Sequence, residues 1–211
     1  NNKLTKILDL GCQPPSDAFL TATDLKEPEA VYPLELYFCK ECTLVQLGYA
    51  VNPEILFRDY VYTSGMNNSL KVNFEKLVSK IVKKFKLTRS DLAVDIGCND
   101  GTLLDNYQHY GIKTLGIDPS SATKFAIEKG ITTVVDFFNK NSAIRARKKY
   151  GQAKIITATN VFAHVPDLDS FMQGVADLLT SDGVFITESG YLLDLIEKTQ
   201  FICKIHRKHD D

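Results

Sequence analysis

The chain has 211 residues, enough for one large domain or for one domain and a smaller one. Its hydrophobic content of 44%, charged content of 24% and net charge of −1 are ordinary for a globular protein and argue against broad electrostatic attraction to nucleic acid or an anionic membrane. No apolar run approaches the ~18 residues that a membrane span needs, and the start has no signal-peptide pattern.

Cysteine usage indicates the compartment. The five cysteines are an odd number, and only Cys39 and Cys42 lie close together in the sequence. This favours a reducing environment over a disulfide framework, so we expect a cytoplasmic protein, and we also expect a monomer with no nucleic-acid or membrane partner. Because the first residue is Asn1 rather than Met, we expect the chain to begin inside a longer protein.

A cysteine pair separates two predicted strands near the start of the chain. Residues 32–38 alternate between apolar and polar side chains, and residues 44–47 form a second short strand after Cys39-Lys40-Glu41-Cys42. Such a turn brings both sulfurs to one side, as in half of a zinc ribbon, so Cys39 and Cys42 are candidate metal ligands. Zinc needs four ligands; Cys12 could be a third, and the alternative is a pair of free cysteines on a hairpin.

The flanking segments complete the first half of the chain. Glycine and paired prolines predict an extended or looped course for residues 1–20. Residues 53–70 are an aromatic linker with a Ser/Gly end, and residues 70–85 have the apolar spacing of an amphipathic helix. The chain therefore divides into a partial zinc-binding domain, a linker with its helix, and a larger core, at residues 1–52, 53–86 and 87–211.

The larger core begins with a strand, a glycine turn and a helix. Within residues 91–101, a short apolar run ends in an acid and is followed by Gly97 and Gly101. Residues 102–110 then have the pattern of a helix. Glycine accepts a positive φ and lets a ligand approach the backbone closely. The turn therefore predicts a binding site at the end of this strand.

Strands and helices then alternate to the end of the chain. This order predicts βαβ units, a parallel sheet and a ligand site at the carboxyl ends of the strands. The predicted strands are 113–118, 131–135, 154–158 and 183–188, and the predicted helices are 121–129, 142–150, 168–179 and 192–200.

Acidic residues at two strand ends indicate the ligand. The turn Gly97-x-x-x-Gly101 does not have the G-x-G-x-x-G spacing of dinucleotide-binding proteins. Asp118 ends the second strand of the core, where a carboxylate can accept hydrogen bonds from both ribose hydroxyls. Asp136 and Phe137 follow the third strand and can bracket an adenine by polar and apolar contact. A dehydrogenase with an altered loop and a fold that has lost its ligand remain as alternatives.

This combination resembles the class I S-adenosylmethionine-dependent methyltransferases over residues 91 to about 190. The resemblance implies an α/β, Rossmann-like methyltransferase sheet with five parallel strands here, preceded by a small partial zinc-ribbon-like β domain. It also implies that residues 87–211 bind S-adenosylmethionine. The implied cofactor-binding residues are Asp95, Gly97, Asn99, Gly101, Asp118, Pro119, Asp136, Phe137 and Asn160.

A second, longer resemblance runs from about residue 10 to residue 201 and is to the sugar C-methyltransferases of deoxysugar biosynthesis. It is carried by Leu10-Gly11-Cys12-Gln13-Pro14, Cys39-Lys40-Glu41-Cys42-Thr43-Leu44-Val45-Gln46-Leu47, Phe57-Arg58-Asp59-Tyr60-Val61-Tyr62-Thr63-Ser64 and Asn160-Val161-Phe162-Ala163-His164-Val165-Pro166-Asp167. It implies methylation at C3 of a nucleotide-linked 4-keto-deoxysugar. It also implies a structural zinc held by two CxxC pairs, of which Cys39 and Cys42 match the second and the first would precede Asn1.

The resemblance assigns the remaining site residues. The 4-keto group acidifies the C3 proton, a base removes it, and the enolate attacks the methyl group, so the enzyme needs close positioning and donors for the enolate oxygen. His164 and Asn160 follow the fourth core strand and are implied active-site residues. Tyr60 and Tyr62 match a linker in which one tyrosine reaches the substrate. The alternatives are that His164 only orders its loop and that the tyrosines pack on the core.

The end of the chain departs from that family. A Tyr-His-Glu-His motif that supplies catalytic groups corresponds here to Ile205-His206-Arg207-Lys208, so His206 alone is retained. We expect the final sheet strands and the C-terminal domain to be absent from these residues. A cofactor-binding fragment or pseudoenzyme without methyl transfer, and a class I methyltransferase for another small molecule, are therefore the competing functions.

Overall fold

The computed structural model of the protein describes residues 3–16, 19–60 and 62–198. Within them lie two sheets, one antiparallel and one parallel, joined by a helical segment. No helix in these ranges is long and apolar enough to cross a membrane. His206 and the rest of the tail motif lie outside the described residues, so the prediction about them stays a prediction.

The antiparallel sheet contains β1 (Leu4–Gln13), β2 (Tyr32–Cys39) and β3 (Val45–Leu47), in that spatial order. The strands predicted at residues 32–38 and after the cysteine turn are both present. Within residues 1–20, for which an extended or looped course is expected, Leu4–Gln13 form a long extended strand along β2. Its register shifts between Asp9 and Cys12, where Gly11 has a φ of +71°.

The linker is more ordered than its composition indicates. Helix α1 (Pro53–Phe57) begins where the Asn52 side chain accepts a hydrogen bond from the Glu54 amide at 3.0 Å, and Pro53 occupies its first turn. A 3₁₀ turn follows at Ser64–Met66. Helix α2 (Asn68–Phe85) then presents Phe74, Val78 and Ile81 to the core, which confirms the predicted amphipathic helix.

The parallel sheet confirms the predicted Rossmann-like fold. Its strands within the described residues are β4 (Leu92–Ile96), β5 (Lys113–Ile117), β6 (Thr133–Val134), β7 (Ala153–Thr159) and β8 (Leu179–Glu188). The spatial order is β6-β5-β4-β7-β8, and every pairing is parallel. After β4 the chain adds β5 and β6 on one side of β4, and it then crosses over to add β7 and β8 on the other side of β4. A ligand crevice is expected at that reversal, outside the carboxyl ends of the strands.

Four helices connect these strands and a fifth follows β8. The connecting helices are α3 (Thr102–His109), α4 (Thr123–Glu128), α5 (Lys140–Tyr150) and α6 (Leu168–Leu178), and the helix after β8 is α7 (Leu192–Glu197). Two strands differ from the predicted ones by more than one residue at an end. The edge strand β6 keeps only Thr133–Val134 of residues 131–135, because it pairs only with Gly116 and Ile117 of β5. Strand β8 begins at Leu179, directly after α6, instead of at residue 183.

Strand β4 is buried along its whole length, and its side chains feed two separate cores. Val94 and Ile96 join a cluster with Phe171 of α6 on one face of the sheet. Ala93 joins a cluster with Phe74 of α2 and Tyr107 of α3 on the other face. Successive residues of a strand point to opposite faces, so one short strand anchors both helical layers.

The second cluster contains a buried hydroxyl without a partner, at Tyr107. The side chain is 0% exposed, and its hydroxyl has no hydrogen bond among the described residues. We expect Tyr107→Phe to leave the free energy of unfolding unchanged or to raise it by about 1 kcal/mol, because it removes an unsatisfied polar group. Urea denaturation would measure the change.

Tyr107→Ala is the matched control, since it also deletes the ring. It should cost about 3–5 kcal/mol through the cavity that it leaves. A loss of more than about 1 kcal/mol in Tyr107→Phe would mean that the hydroxyl has a stabilising partner.

Candidate active site

A cavity of about 640 Å³ lies at the carboxyl ends of β4, β5 and β7. We call the turn after β4 the floor of this cavity and the linker residues that line it the wall. This is the position at which the sheet order reverses and at which the sequence predicts a ligand site. Of the predicted cofactor-binding and catalytic residues, those that line it are Asp95, Gly97, Asn99, Asp118, Pro119, Phe137, Asn160, Tyr60, Tyr62 and His164.

Two glycines shape the turn after β4, and each meets a different steric requirement. Gly97 has a φ of +71°, and a Cβ at this position would collide with the Val161 side chain. Its amide donates to the Ile117 carbonyl at 2.8 Å, which ties the turn to β5. Gly101 has a φ of +76° and is not among the residues that line the cavity. A Cβ there would collide with Ile131, so Gly101 allows α3 to start against its neighbours.

Asp118 stands at the end of β5 with 6% of its surface exposed. One carboxylate oxygen accepts from the Asn99 amide at 2.9 Å. The other accepts from the Ser120 amide at 2.7 Å and from the Ser120 hydroxyl at 2.5 Å. A carboxylate has about four acceptor positions, so this side chain is fixed and still has capacity for a hydroxyl donor in the cavity.

Asp95 lies deeper, at the end of β4, and is 2% exposed. Its carboxylate accepts from the Thr157 hydroxyl at 2.6 Å. Burial raises the pKa of Asp95 to about 7, the Thr157 hydrogen bond opposes this shift, and the charge of Asp118 adds to it. The cavity floor therefore carries an acid that changes charge near neutral pH.

Asn99 and Asp100 hold the linker against the floor. The Asn99 side chain accepts from the Ser64 amide at 3.0 Å and donates to the Tyr62 carbonyl at 2.9 Å. The Asp100 carboxylate accepts from the Gly65 amide at 2.7 Å. The predicted cofactor residue Asn99 therefore presents its backbone to the cavity, while its side chain binds the linker.

The wall is aromatic. Ring centroids are 6.2 Å apart for Phe57 and Tyr60, 6.3 Å for Tyr60 and Tyr62, and 6.2 Å for Phe57 and His164. His164 keeps contact with solvent at the cavity mouth, yet desolvation by its neighbours lowers its pKa. The imidazole is therefore mostly neutral at pH 7. Its amide donates to the Val161 carbonyl at 2.8 Å, so the residue also orders its loop.

Asn160 lies at the end of β7, beside the same mouth. It has a φ of +56°, and its amide donates to the Glu188 carbonyl at 2.7 Å. A positive φ is uncommon outside glycine, although asparagine tolerates it better than most residues. The structure therefore brings Asn160 and His164 to one edge of the cavity, as the sequence predicts.

The side chains of Asp136 and Phe137 lie in different surroundings in the structure. Phe137 lines the cavity, and the Arg58 guanidinium lies 5.5 Å from its ring centroid. The Asp136 carboxylate pairs with Arg145 at 2.5 Å and accepts from the Phe137 amide at 2.8 Å. Asp136 is not among the cavity-lining residues, so the structure directs its carboxylate to the surface instead of towards an adenine.

Sequence reasoning missed Glu54 and Arg58. Arg58 donates two hydrogen bonds to Glu54, at 2.7 and 2.8 Å, and its carbonyl accepts from the Ser121 amide at 3.2 Å. The i,i+4 spacing after Pro53 was an available signal for a helix with an ion pair. These contacts attach the start of the linker to the loop after β5.

The cysteine turn lies apart from this cavity. Cys39 is buried at the end of β2, where the amides of Cys42 and Glu41 lower the pKa of its thiol, and Cys42 is exposed. Cys12 pairs with Pro33 in register while Cys39 pairs with Leu4, which puts these cysteines about 20 Å apart. Cys12 is therefore not a third ligand.

The cysteine pair alone does not complete a zinc site. The described ranges contain no group of three or more His, Cys, Asp or Glu side chains that could hold a metal. Cys39 and Cys42 would supply two of the four ligands that a structural zinc requires. The donor type fits zinc, and the number of ligands is half of what the metal needs.

The linker contacts give a first prediction for this site. Asn99→Gly keeps a residue that accepts the φ of +52° and removes both side-chain hydrogen bonds to the linker. We expect amide hydrogen exchange of residues 62–66 to become about tenfold faster, since one or two hydrogen bonds of about 1 kcal/mol are lost. Mass spectrometry would measure this. Asn160→Gly, at the other left-handed asparagine of the cavity, is the control and should leave linker exchange unchanged.

The second prediction concerns pH. The folded-state pKa of Asp95 is raised from 3.8 to about 7, so the folded protein retains a proton that the unfolded chain loses at lower pH. Stability from this group is therefore greatest below pH 4 and is lost as pH rises to about 7. We expect Asp95→Asn to gain stability over the wild type by up to about 4 kcal/mol across this window. Denaturant unfolding from pH 4 to 8 would test it, and a flat difference between the two proteins would contradict it.

Comparisons with known proteins follow the division of the chain. Residues 69–202 match the family described as "Methyltransferase domain", and residues 1–57 match one described as "Putative zinc binding domain". The chain is 29% identical over 201 residues to C-methyltransferase NovU of Streptomyces niveus, an alignment that covers 95% of this chain and 48% of that protein. The chain thus spans about half the length of the curated relatives it matches.

Two solved structures share the fold. A SAM-dependent methyltransferase from Anabaena variabilis ATCC 29413 has a TM-score of 0.51 and 19% identity, over 65% of this chain and 60% of that one. The PH0226 protein from Pyrococcus horikoshii OT3 has a TM-score of 0.51 and 17% identity, over 74% and 67%. With the match over residues 69–202, these findings show that the chain belongs to the methyltransferase domain family.

Proposed function

We propose that the intact protein is a cytoplasmic, S-adenosylmethionine-dependent C-methyltransferase that acts through an enolate at C3 of a nucleotide-linked 4-keto-deoxysugar. The observation that carries the proposal is one cavity lined both by Asp118 with the glycine turn and by Tyr60, Tyr62 and His164. The likeness to a C-methyltransferase over 95% of this chain supports the choice of carbon as the acceptor.

The floor fits the methyl donor. Asp118 would accept hydrogen bonds from the ribose hydroxyls, and Phe137 would cover one face of the adenine. Gly97 leaves the turn without a side chain, which allows close approach of the ligand to the backbone. When bound, the donor supplies a methyl group on a positively charged sulfur. Asp95 also lines the cavity and can offer a negative charge to this positively charged sulfur.

The wall fits a carbonyl substrate. A neutral imidazole has one donor and one acceptor, so His164 can hold a proton beside the keto group or donate to the enolate oxygen. Asn160 adds an amide donor at the same edge. Tyr60 and Tyr62 give apolar contact with a hydroxyl at each tip. Cys39 and Cys42 would hold half of a structural zinc site away from this chemistry.

A second function, cofactor binding without transfer to a sugar nucleotide, is favoured by the charge of the cavity. Among the described residues that line it there is no lysine or arginine. A sugar nucleotide has a diphosphate, for which basic side chains are the usual partners. The described cavity therefore accounts for the donor and the sugar ring, and the diphosphate needs groups from elsewhere in the intact protein.

Paired variants would test the proposal on the intact protein. We expect the wild type to bind S-adenosylmethionine in calorimetry, to exchange the C3 hydrogen of a nucleotide 4-keto-sugar for deuterium without the donor, and to methylate that sugar with it. Asp118→Asn should weaken donor binding at least about tenfold, through loss of a charge-assisted hydrogen bond, and keep C3 exchange. His164→Gln should leave donor binding unchanged and abolish C3 exchange.

Asp136→Asn is the matched control, because its carboxylate pairs with Arg145 away from the cavity. It should change donor affinity far less than Asp118→Asn does. Donor binding without C3 exchange or sugar methylation would support the second function, and absence of donor binding would reject both.

A further inference from the structure

The cavity combines several acids with little positive charge. Glu54, Asp95, Asp118 and Asp167 all line it, and no lysine or arginine is among the described lining residues. Arg58 neutralises Glu54 through a bidentate pair, which leaves the acids of the floor uncompensated. His164 does not supply the missing charge, because desolvation lowers its pKa. A low-dielectric cleft with charges of one sign concentrates their field on the ligand.

Asp95 is the most deeply buried of these acids, and burial is the largest cause of its raised pKa. Asp118 at the end of β5 raises the pKa of Asp95, and the charge of Asp95 in turn raises the pKa values of Cys98 in the turn and Tyr107 of α3. None of these three groups is a cation. Thr157 of β7 contributes a hydroxyl. Burial without a positive partner favours the protonated acid, which agrees with its raised pKa of about 7.

The geometry at Thr157 suits both protonation states. Its hydroxyl donates to Asp95 at 2.6 Å and lies 3.3 Å from the Val94 carbonyl. When Asp95 is ionised, the hydroxyl donates to the carboxylate. When Asp95 is protonated, the hydroxyl can donate to Val94 and accept from the acid, because a hydroxyl has one donor and two acceptor positions. The hydrogen bond between these two side chains can therefore persist in both states.

We propose that Asp95 makes the cavity selective for the positively charged methyl donor over its neutral thioether product, by releasing a proton to solvent when the donor binds and recovering it when the product forms. The inference rests on the donor site of the proposed function. In the transfer, the methyl carbon bonds to the acceptor, and the electrons of its old bond stay on sulfur, which becomes neutral. Asp95 then loses its cationic partner and is protonated again, so the product is held less tightly than the donor.

Calorimetry in two buffers of different ionisation enthalpy tests this directly on the wild-type protein. With a pKa near 7, donor binding at pH 7 should release about half a proton, and donor affinity should rise about tenfold from pH 6 to pH 8. Binding of the thioether product, S-adenosylhomocysteine, should release far less and vary little with pH. Both ligands have the same amino-acid and nucleoside parts, so the difference between them isolates the charge on sulfur.

Two variants assign the effect to its residue. Asp95→Asn keeps the size of the side chain and cannot ionise, so the difference in proton release between donor and product should vanish. Thr157→Val removes the hydroxyl that stabilises the ionised acid. It should move the midpoint of the affinity change to higher pH while the amplitude remains. Thermal unfolding of each variant would confirm that it is folded.

The outcomes separate this inference from the proposed function. Donor binding with the same proton release and pH dependence as product binding would overturn the role of Asp95 and leave the methyltransferase proposal intact. A pH effect that persists in folded Asp95→Asn would also overturn it. Absence of any donor binding would overturn both, whereas selective proton release without sugar methylation would uphold the inference and reject the sugar substrate.

Discussion

The hydrogen bond from the Asn99 amide to Asp118 connects most of what the site needs. It joins the turn after β4 to the end of β5 at 2.9 Å. The side chain of the same asparagine binds the linker at Tyr62 and Ser64. One residue thus fixes the floor of the cavity with its backbone and the wall with its side chain. The turn can do so only with a positive φ at Gly97 and Asn99, which glycine and asparagine tolerate.

The two buried acids of the floor differ because their donors differ. Asp118 receives three hydrogen bonds, from the Asn99 amide and from the amide and hydroxyl of Ser120. Asp95 receives the Thr157 hydroxyl, lies deeper and is also exposed to the negative charge of Asp118. Charge on a carboxylate is stabilised by donors and opposed by burial. The same side-chain type therefore gives a fixed hydrogen-bond acceptor at one strand end and a group that titrates near neutral pH at the next.

Sequence periodicity predicted the strands and helices of the core well, because the central strands are mostly apolar and a glycine, an acid or an asparagine follows each of them. Periodicity did not predict strand lengths that depend on pairing with a neighbouring strand. β6 shortened because only Gly116 and Ile117 pair with it, and β1 formed because β2 offered a long partner. The sequence also could not predict the orientation of Asp136. Its carboxylate could face an adenine or pair with Arg145 of the following helix, and only the path of α5 decides between these partners.

The linker explains why an N-terminal β unit can matter to a site that it does not enter. β3 ends at Leu47, and Asn52, which both lines the cavity and caps α1, follows five residues later. Five residues span at most about 18 Å, so the position of the hairpin limits where the cavity wall can begin. Two thiols on a turn whose amides already favour a thiolate are a suitable anchor for a metal. A metal that ordered this turn would therefore influence the cavity through the linker, whose lining residues begin at Asn52.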